Sequence, residues 1–273
     1  MSKVWVVHLV WAPLGVEPLR RFVRSYRERA AGHDHRLLVV FNGFDDGDAA
    51  ALAATRTELD EVAHAPLVLP QPLQDLGAYR AAVEHAAEAD AMCFLNSHSE
   101  LLVDGWLALL NEQLRAPGVG IVGATGSHES TYSAAPRPLR PLRRRQYPPF
   151  PNPHIRTNAF MAAREPLLAL DWSVGRGKSS AHQLESGLRS ITRQLRTQGL
   201  DARVVGRDGR GYAPDAWPES GTFRCGDQAN LLVADNRTRQ YDEADPARRA
   251  ELARMAWGDA AELSARRAPA SRA

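Results

Sequence analysis

The 273-residue sequence predicts an α/β fold in which a mostly parallel sheet is flanked by helices. Continuous apolar runs, such as residues 4–10 and 37–41, are typical of strands buried on both faces. Segments with helical spacing of their apolar residues separate these runs. A third apolar run, 92–95, breaks into the polar residues 96–100. Such a break is expected to place polar side chains in the crevice at the carboxyl edge of the sheet, where ligands bind.

The elements of the first part alternate regularly. Strands are predicted at 4–10, 37–41, 67–69, 92–95 and 119–123, and helices at 17–29, 48–62 and 76–89 and from Trp106 onward. Short connections between alternating strands and helices predict a parallel sheet with helices on both faces.

The second part begins with a proline-rich segment, 133–153, that predicts a long loop. The arginines in it (Arg137, Arg140, Arg143, Arg144 and Arg145) leave four interpretations open: a lid, an acceptor-binding loop, a contact to anionic lipid-linked acceptors, or a solvated charge run. Later elements are predicted as strands at 154–163, 202–205 and 230–234, helices at 185–198 and 243–263, and a flexible tail after the last helix.

Composition narrows the class of protein. A formal net charge of +2 does not indicate a nucleic-acid binder. Two cysteines, Cys93 and Cys225, are too few for a disulfide framework and fit a reducing compartment. The N-terminal apolar run is too short for a signal peptide, and no transmembrane segment is found. We therefore expect a cytoplasmic protein.

A Gly-x-Gly-x-x-Gly pattern at 118–123 matches the dinucleotide fingerprint of Rossmann oxidoreductases. The fingerprint needs a turn from a strand into a helix, whereas these glycines lie in an apolar run with no helical pattern after it. We therefore expect a strand at this position.

The order of elements resembles a glycosyltransferase of the GT-A fold, closest to the large family 2 group. The segment Gly77-Ala-Tyr-Arg80 after the third strand and Gly105-Trp-Leu107 at the start of a helix match the pattern of that family. The resemblance implies one glycosyltransferase domain over residues 1–242, followed by a C-terminal helix and flexible tail at 243–273. Within the domain it implies a nucleotide-binding half at 1–125 and an acceptor and catalytic half at 126–242.

The resemblance also implies the site residues. Those expected at the nucleotide are Val10, Trp11, Ala12, Asn42, Asp75, Arg80 and Asn96, and those expected at the donor sugar or phosphate are His98, Arg156, Asn158 and Arg237. Glu185, placed at the start of a helix, is the implied catalytic base that deprotonates the acceptor hydroxyl. A helix N-terminus would keep that carboxylate ionised.

The sequence departs from the family at its Asp-x-Asp motif, which here reads Asn96-Ser-His98. Two aspartates would hold a divalent metal, Mn²⁺ or Mg²⁺, against the donor diphosphate. Three alternatives stay open: His98 and Asn96 bind a metal with help from Glu100, arginines replace the metal charge, or catalysis is lost. Because Arg is a good phosphate ligand, we expect a metal that is weak or absent.

The implied function is transfer of a sugar from a nucleotide-diphosphate sugar to an acceptor hydroxyl, with inversion, in glycan or glycoconjugate biosynthesis such as that of polysaccharides. The expected acceptor is a glycan, a lipid-linked molecule or a small molecule, and no nucleic-acid partner is expected. A catalytically inactive nucleotide-sugar-binding protein and a Rossmann-type oxidoreductase remain as alternatives.

Overall fold

A computed structural model describes residues 3–44, 46–173 and 178–260 of the chain. The strands are β1 (Val4–Trp11), β2 (His35–Asn42), β3 (Ala65–Val68), β4 (Ala91–Leu95), β5 (Glu100–Leu101), β6 (Val119–Gly123), β7 (Gly126–Ser127), β8 (His154–Ile155), β9 (Ala159–Ala163), β10 (Asp201–Val205), β11 (Gly211–Tyr212) and β12 (Val233–Ala234). The α-helices are α1 (Glu17–Glu28), α2 (Ala49–Thr57), α3 (Asp75–His85), α4 (Trp106–Leu114), α5 (Thr131–Ala134), α6 (Arg140–Arg143), α7 (Arg164–Leu168), α8 (Lys178–Ser186), α9 (Ile191–Thr197), α10 (Asn236–Asp242) and α11 (Pro246–Trp257).

The main sheet has eight strands in the order β11-β10-β6-β9-β4-β1-β2-β3. Strands β4, β1, β2 and β3 are parallel neighbours, as are β6 and β10. Only β9 and β11 pair antiparallel with their neighbours in this sheet, which confirms the predicted mostly parallel α/β class. Because β9 lies between β6 and β4, the segment after residue 126 completes the sheet that the first part begins.

Each face of the sheet is covered by its own hydrophobic layer. One layer takes Phe22 from α1 and Trp106 from α4. The opposite layer takes Tyr79 from α3, Leu195 from α9 and Trp257 from α11. The C-terminal helix α11 is thus part of the core, because its Trp257 is buried and its indole N–H donates to the Phe223 carbonyl at 2.8 Å.

Three elements that were predicted as continuous are interrupted in the structure. The helix predicted at 185–198 is two helices, because Gly187 lies against the Gln183 carbonyl and Ser190 caps the start of α9. The strand predicted at 154–163 is interrupted at 156–158, between β8 and β9. The terminal helix predicted at 243–263 begins only at Pro246, where Asp245 caps α11, and it is interrupted after Trp257 by a turn at 258–259. The predicted tail begins at residue 264 and lies outside the described residues.

The proline-rich segment contains more local structure than the predicted loop. It holds a 3-10 turn at Arg137–Leu139 and the short helix α6, each with a proline in its first turn. Proline is tolerated there because the first N–H groups of a helix have no partner in the helix. None of the helices in the described ranges combines the length and the apolar character that a membrane crossing requires.

His8 is a buried polar residue in the middle of β1. Its imidazole stacks on Phe22 at 3.6 Å between ring centroids, and neither ring nitrogen has a hydrogen-bond partner among the described residues. Burial lowers the pKa of His8 to about 3. The imidazole is therefore held neutral over most of the acid range, while the same group in the unfolded chain takes up a proton near its ordinary pKa of about 6.5.

We expect His8→Leu to raise the free energy of unfolding at neutral pH by about 1–3 kcal/mol, because two unsatisfied polar atoms leave the core. The native protein should lose stability as the pH falls from about 6.5 towards 3, by at most about 1.4 kcal/mol per pH unit for this group. Urea unfolding across that window measures both effects. His85→Leu, at an exposed site, is the control. An equally steep acid loss in His8→Leu would contradict this assignment.

Candidate active site

A cavity of about 780 Å³ opens among elements of the second part of the chain. Its lining includes Glu129, His154, Arg156, Glu185, Phe223, Arg224 and Arg237, together with Arg254 and Met255 of α11. Three of the residues predicted for the site, Arg156, Glu185 and Arg237, therefore line one cavity. Its size is in the range of pockets that take small ligands.

Glu185 is held by Thr157, which lies in the segment 156–158 between β8 and β9. Its Oε1 accepts hydrogen bonds from the backbone N–H of Thr157 at 2.9 Å and from the Thr157 hydroxyl at 3.1 Å. Thr157 therefore orients Oε1, while no donor within the described ranges bonds Oε2.

The predicted reason for the ionisation of Glu185 is wrong, since the residue lies in the last turn of α8 and not at a helix N-terminus. Burial raises the pKa of Glu185, but the nearby His154, the charge of Arg156 and the Thr157 N–H outweigh it, so the pKa lies below its ordinary value. Burial also lowers the pKa of His154. Arg156 and the Thr157 N–H both favour the ionised form of the Glu185 carboxylate.

Arg156 is held rigidly in the cavity wall. Its Nη2 donates to Asp235 Oδ2 at 2.8 Å, its Nη1 to the Thr125 hydroxyl at 3.3 Å, and its guanidinium lies 4.1 Å from the centroid of the Phe223 ring. Asp235 also caps α10, accepting from the backbone N–H groups of Arg237 and Thr238. One buried carboxylate thus fixes both Arg156 and the helix that carries Arg237.

Arg237 and Arg224 add two further cations to the same cavity. Arg237 is exposed at the start of α10. Arg224 is only 4% exposed, bonds Glu129 at 2.7 Å, and has an Nε without a partner among the described residues. Its φ of +47° is unusual for a residue with a Cβ, and Gln228 stabilises this conformation by accepting the backbone N–H of Arg224 at 2.9 Å. Strained backbone of this kind is characteristic of ligand sites.

Asn158 connects the cavity to the changed motif after β4. Its backbone carbonyl accepts from the Asn96 N–H at 2.8 Å and from the Ser99 hydroxyl at 3.3 Å. Its side-chain oxygen accepts from the Thr125 hydroxyl at 2.7 Å, while the buried amide nitrogen has no partner in the described part of the chain. The consecutive residues Arg156, Thr157 and Asn158 therefore contact Asp235, Glu185 and Asn96 in turn.

The Asn96-Ser-His98 motif forms a turn. Asn96 Oδ1 accepts from the His98 N–H at 3.0 Å and from the Ser99 hydroxyl at 3.1 Å. His98 is half-buried, and burial and the charge of Arg239 lower its pKa. Arg239 donates to the His98 carbonyl at 3.2 Å and pairs with Glu100 at 3.2 Å. At the position where the resemblance implies metal ligands, the chain therefore has a neutral amide and an imidazole, next to the Arg239–Glu100 ion pair.

These residues do not fit a divalent metal. The Asn96 oxygen is neutral and already accepts two hydrogen bonds, and a guanidinium lies beside His98. In the described ranges no group of three or more His, Cys, Asp and Glu side chains is arranged to hold a metal ion. Mg²⁺ and Mn²⁺ prefer oxygen ligands that carry negative charge.

The predicted nucleotide residues of the first two strands lie together at the carboxyl edge of the sheet, where Trp11 and Asn42 pair in register. Val10 is buried, and Ala12 begins a 3-10 turn. Asn42 is fully buried, and its amide exchanges two hydrogen bonds with the backbone of Leu73, at 2.7 and 2.9 Å. The observed contacts of Asn42 thus hold the loop before α3.

Asp75 and Arg80 lie on the same helix but in different surroundings. Desolvation and the negative charge of Glu185 raise the pKa of Asp75, which is an exposed residue in the first turn of α3. Arg80 is exposed and pairs with Glu84 at 2.9 Å in a smaller surface hollow next to Trp172. Neither Asp75 nor Arg80 is among the described residues that line the cavity.

The dinucleotide interpretation is wrong. Its glycines lie in and next to the buried strand β6, and β7 follows instead of a helix. Gly123 packs against Ile155, whose side chain would lie 2.5 Å from a Cβ at this position, so the close approach of two strands explains that glycine.

Comparison with solved structures finds proteins of similar fold. A mannosyltransferase from Pyrobaculum calidifontis in complex with GDP-mannose and Mn²⁺ is 19% identical, with a TM-score of 0.48 over 78% of this chain and 56% of its own. Glucosyl-3-phosphoglycerate synthase from Mycobacterium tuberculosis, in complex with Mn²⁺, UDP and glucosyl-3-phosphoglycerate, is 15% identical, with a TM-score of 0.41 over 71% of this chain and 63% of its own. A CMP-2-keto-3-deoxy-manno-octonic acid synthetase complexed with CTP is 13% identical, with a TM-score of 0.44 over 79% and 95%.

The chain spans less than two thirds of the length of the mannosyltransferase and of the synthase from Mycobacterium tuberculosis. No family model matches the sequence. No curated protein matches it either.

Several residues at this site were not predicted from the sequence. Glu129, His154, Phe223, Arg224, Asp235 and Arg239 all contact or surround the predicted residues. Most of them lie outside periodic segments, and the stretch 206–229 contains no hydrophobic pattern. The glycines at 221 and 226, which both have positive φ, were the available sign of a tight loop there.

Proposed function

We propose that this chain is a glycosyltransferase that moves a sugar from a nucleotide-diphosphate sugar to an acceptor hydroxyl with inversion. The observation that carries the proposal is Glu185, an ionised carboxylate that lines a 780 Å³ cavity beside Arg156, with one oxygen fixed by Thr157. A single oriented carboxylate among cations suits a reaction that removes a proton on one side and releases a diphosphate on the other.

In the proposed step, Glu185 accepts the proton of the acceptor hydroxyl through Oε2. The acceptor oxygen forms a bond to the anomeric carbon, and the bond from that carbon to the phosphate oxygen breaks with its electron pair on the nucleoside diphosphate. Attack from the face opposite the leaving group inverts the anomeric centre. The proposal places the donor between Asn96 and Arg156, with the acceptor in the cavity that Glu185 lines.

Arginines take the role of the metal in this proposal. Arg237 and Arg239 both project from α10, and Arg239 lies beside His98, where the family keeps its metal ligands. Guanidinium groups bind phosphate oxygens through two parallel hydrogen bonds and keep their charge at all accessible pH values. We propose Arg237, with His98 and Asn158, as the group that contacts the departing diphosphate and the donor sugar.

The nucleotide is proposed to lie at the edge formed by Val10, Trp11, Ala12, Asn42 and Asp75, with Asn96 at its phosphates. Arg80 is proposed to lie only at the rim of the nucleotide site, because it pairs with Glu84 in this structure. The acceptor is proposed to be a glycan, a lipid-linked molecule or a small molecule, in a family 2-like enzyme of glycoconjugate or polysaccharide synthesis in the cytoplasm.

A nucleotide-sugar-binding protein without catalysis is the second candidate. The observation that favours it is the locked Asn96 side chain, whose oxygen is used within its own turn. The two candidates share donor binding and differ in turnover.

A panel of UDP-, GDP- and dTDP-sugars tests the proposal. We expect one nucleotide class to raise the melting temperature and to be hydrolysed slowly to the nucleoside diphosphate, since water can replace the acceptor. Binding without hydrolysis or transfer to any offered acceptor would favour the inactive binder. A shift with NAD(P) and none with any nucleotide sugar would exclude both candidates.

Removal of divalent metal should leave the rate unchanged. The residues around His98 do not fit Mn²⁺ or Mg²⁺, so donor hydrolysis after dialysis against EDTA is expected to equal that with added Mn²⁺. Arg239→Gln is expected to weaken donor binding in both conditions. A rate that disappears in EDTA and returns with Mn²⁺ would contradict the proposal that arginines, and not a metal, neutralise the donor diphosphate.

A further inference from the structure

The proline-rich segment presents a surface that we call the basic face, residues 137–145. It comprises the 3-10 turn Arg137–Leu139, the helix α6 and the two residues after it. Leu139 and Leu142 are 48% and 69% exposed, and Leu142 is thus mostly outside the protein core. Five arginines surround these leucines in the sequence: Arg137, Arg140, Arg143, Arg144 and Arg145.

The charge of the basic face is not compensated by neighbouring carboxylates. The sequence contains no Asp or Glu between Glu129 and Glu165. Arg140 donates to the carbonyls of Ala135 and Ser133, both at 3.1 Å, which are neutral acceptors. In the part of the chain that the structure describes, none of the five arginines forms an ion pair.

We propose that the basic face docks the protein on an anionic lipid bilayer, with Leu139 and Leu142 entering the boundary between head groups and acyl chains. Each arginine near an anionic leaflet is stabilised by its electrostatic attraction to the lipids, and the transfer of exposed leucines out of water is also favourable. A surface that combines both groups matches the chemistry of this boundary. The inference rests on the surface alone and does not depend on the proposed function.

Exposed leucines distinguish a bilayer from a nucleic acid as the partner. A phosphate backbone attracts arginines but offers no apolar phase for two aliphatic side chains, and nucleic-acid binders place aromatic residues against bases. The basic face contains no aromatic residue, and the whole chain has a formal net charge of only +2. The charge is therefore concentrated locally, as in proteins that attach to a membrane by one face.

The basic face is flanked in the sequence by residues that line the cavity. Ser133 and Ala134, just before it, and Phe150, just after it, line the cavity. Phe150 and Met255, which both line the cavity, are themselves exposed apolar residues. A bilayer bound at the basic face would therefore lie close to the opening through which a substrate enters.

Co-sedimentation of the full chain with vesicles tests the inference. Vesicles of phosphatidylcholine alone are compared with vesicles that also contain phosphatidylglycerol. We expect binding only to the anionic vesicles, a roughly hundredfold weaker partition for the triple variant Arg137→Gln, Arg144→Gln, Arg145→Gln, and a decrease for the pair Leu139→Gln, Leu142→Gln at unchanged charge.

Matched control variants test whether vesicle binding depends on the basic face itself or on the total charge and hydrophobicity of the protein. Arg115→Gln, Arg193→Gln, Arg196→Gln removes the same charge from exposed sites elsewhere, and Leu168→Gln, Leu188→Gln changes two leucines that are 46% and 43% exposed. Both controls should sediment like the native chain, and circular dichroism confirms that all variants fold. Absence of binding to anionic vesicles, or equal binding by the leucine pair, would overturn the inference. So would tighter, leucine-independent binding to a single-stranded polynucleotide.

Discussion

Glu185→Gln is expected to reduce the turnover of sugar transfer by roughly 10²–10⁴-fold, the usual contribution of a positioned general base. The amide keeps the shape of the carboxylate, and its oxygen still accepts from the Thr157 N–H and hydroxyl that now hold Oε1. It cannot take the acceptor proton. The KM for the donor should change little, because Glu185 contacts the acceptor side of the proposed complex. Steady-state rates with a donor that binds give both constants.

Glu165→Gln is the matched control, since it removes an exposed carboxylate at the start of α7, outside the cavity. It should transfer sugar at the native rate. The thermal shift caused by the nucleotide sugar should persist in Glu185→Gln, which separates loss of chemistry from loss of binding. Full activity of Glu185→Gln would show that another group acts as the base, while the fold and the donor site would remain.

The pH dependence of turnover follows from the same carboxylate. Because His154, the charge of Arg156 and the Thr157 N–H together outweigh burial, the pKa of Glu185 lies below its ordinary value, and the base is ionised through the neutral range. Turnover should therefore be flat from neutral pH down to about 4.3, the ordinary Glu pKa, and fall only below it. A base of low pKa is also a weak one, which favours acceptor hydroxyls that are already acidic or hydrogen-bonded.

The strand and helix order of the first part was predictable because its signals are local. Strands β1, β2 and β4 are buried on both faces and therefore read as uninterrupted apolar runs, and α1 shows its buried face as a helical spacing. In the second part, local signals compete with contacts made elsewhere. Gly187 ends α8 because it packs on Gln183 and on the carbonyl of Gln146, which the local pattern does not reveal.

The predicted site residues came from the family resemblance, and three of them, Arg156, Glu185 and Arg237, line one cavity. Two others, Asn96 and Asn158, are linked by a hydrogen bond of 2.8 Å from the Asn96 N–H to the Asn158 carbonyl. Arg224 belongs to a loop whose shape depends on the side chain of Gln228, and no periodicity marks such a loop. Asp235 follows the apolar run 230–234, and its carboxylate caps α10 and pairs with Arg156 across 79 positions of sequence. Ion pairs of this kind connect residues that a single sequence cannot pair.

Asp235→Ala is expected to lower the free energy of unfolding by about 3–5 kcal/mol, because it leaves the buried guanidinium of Arg156 without its counter-charge. The pair is 2.8 Å long, and both side chains are almost fully buried. Burial raises the pKa of Asp235, but Arg156 and the backbone N–H groups of Thr238 and Arg237 outweigh it, so the pKa lies below its ordinary value. The contribution of this group is therefore present above about pH 3.9 and is lost as the pH falls further. Urea unfolding at neutral and acid pH measures both effects.

Asp235→Ser separates the two roles of this carboxylate. A serine hydroxyl still caps α10 and recovers about 1 kcal/mol of the loss, while the ion pair stays broken. Glu84→Gln breaks the exposed pair with Arg80, also about 3 Å long, and should change stability by less than about 0.5 kcal/mol. Because Asp235 holds Arg156 and the start of the helix that carries Arg237, Asp235→Ser should also weaken donor binding. A serine variant with native stability and native donor affinity would show that Asp235 acts as a cap alone, and Arg156 would then need another counter-charge in the cavity.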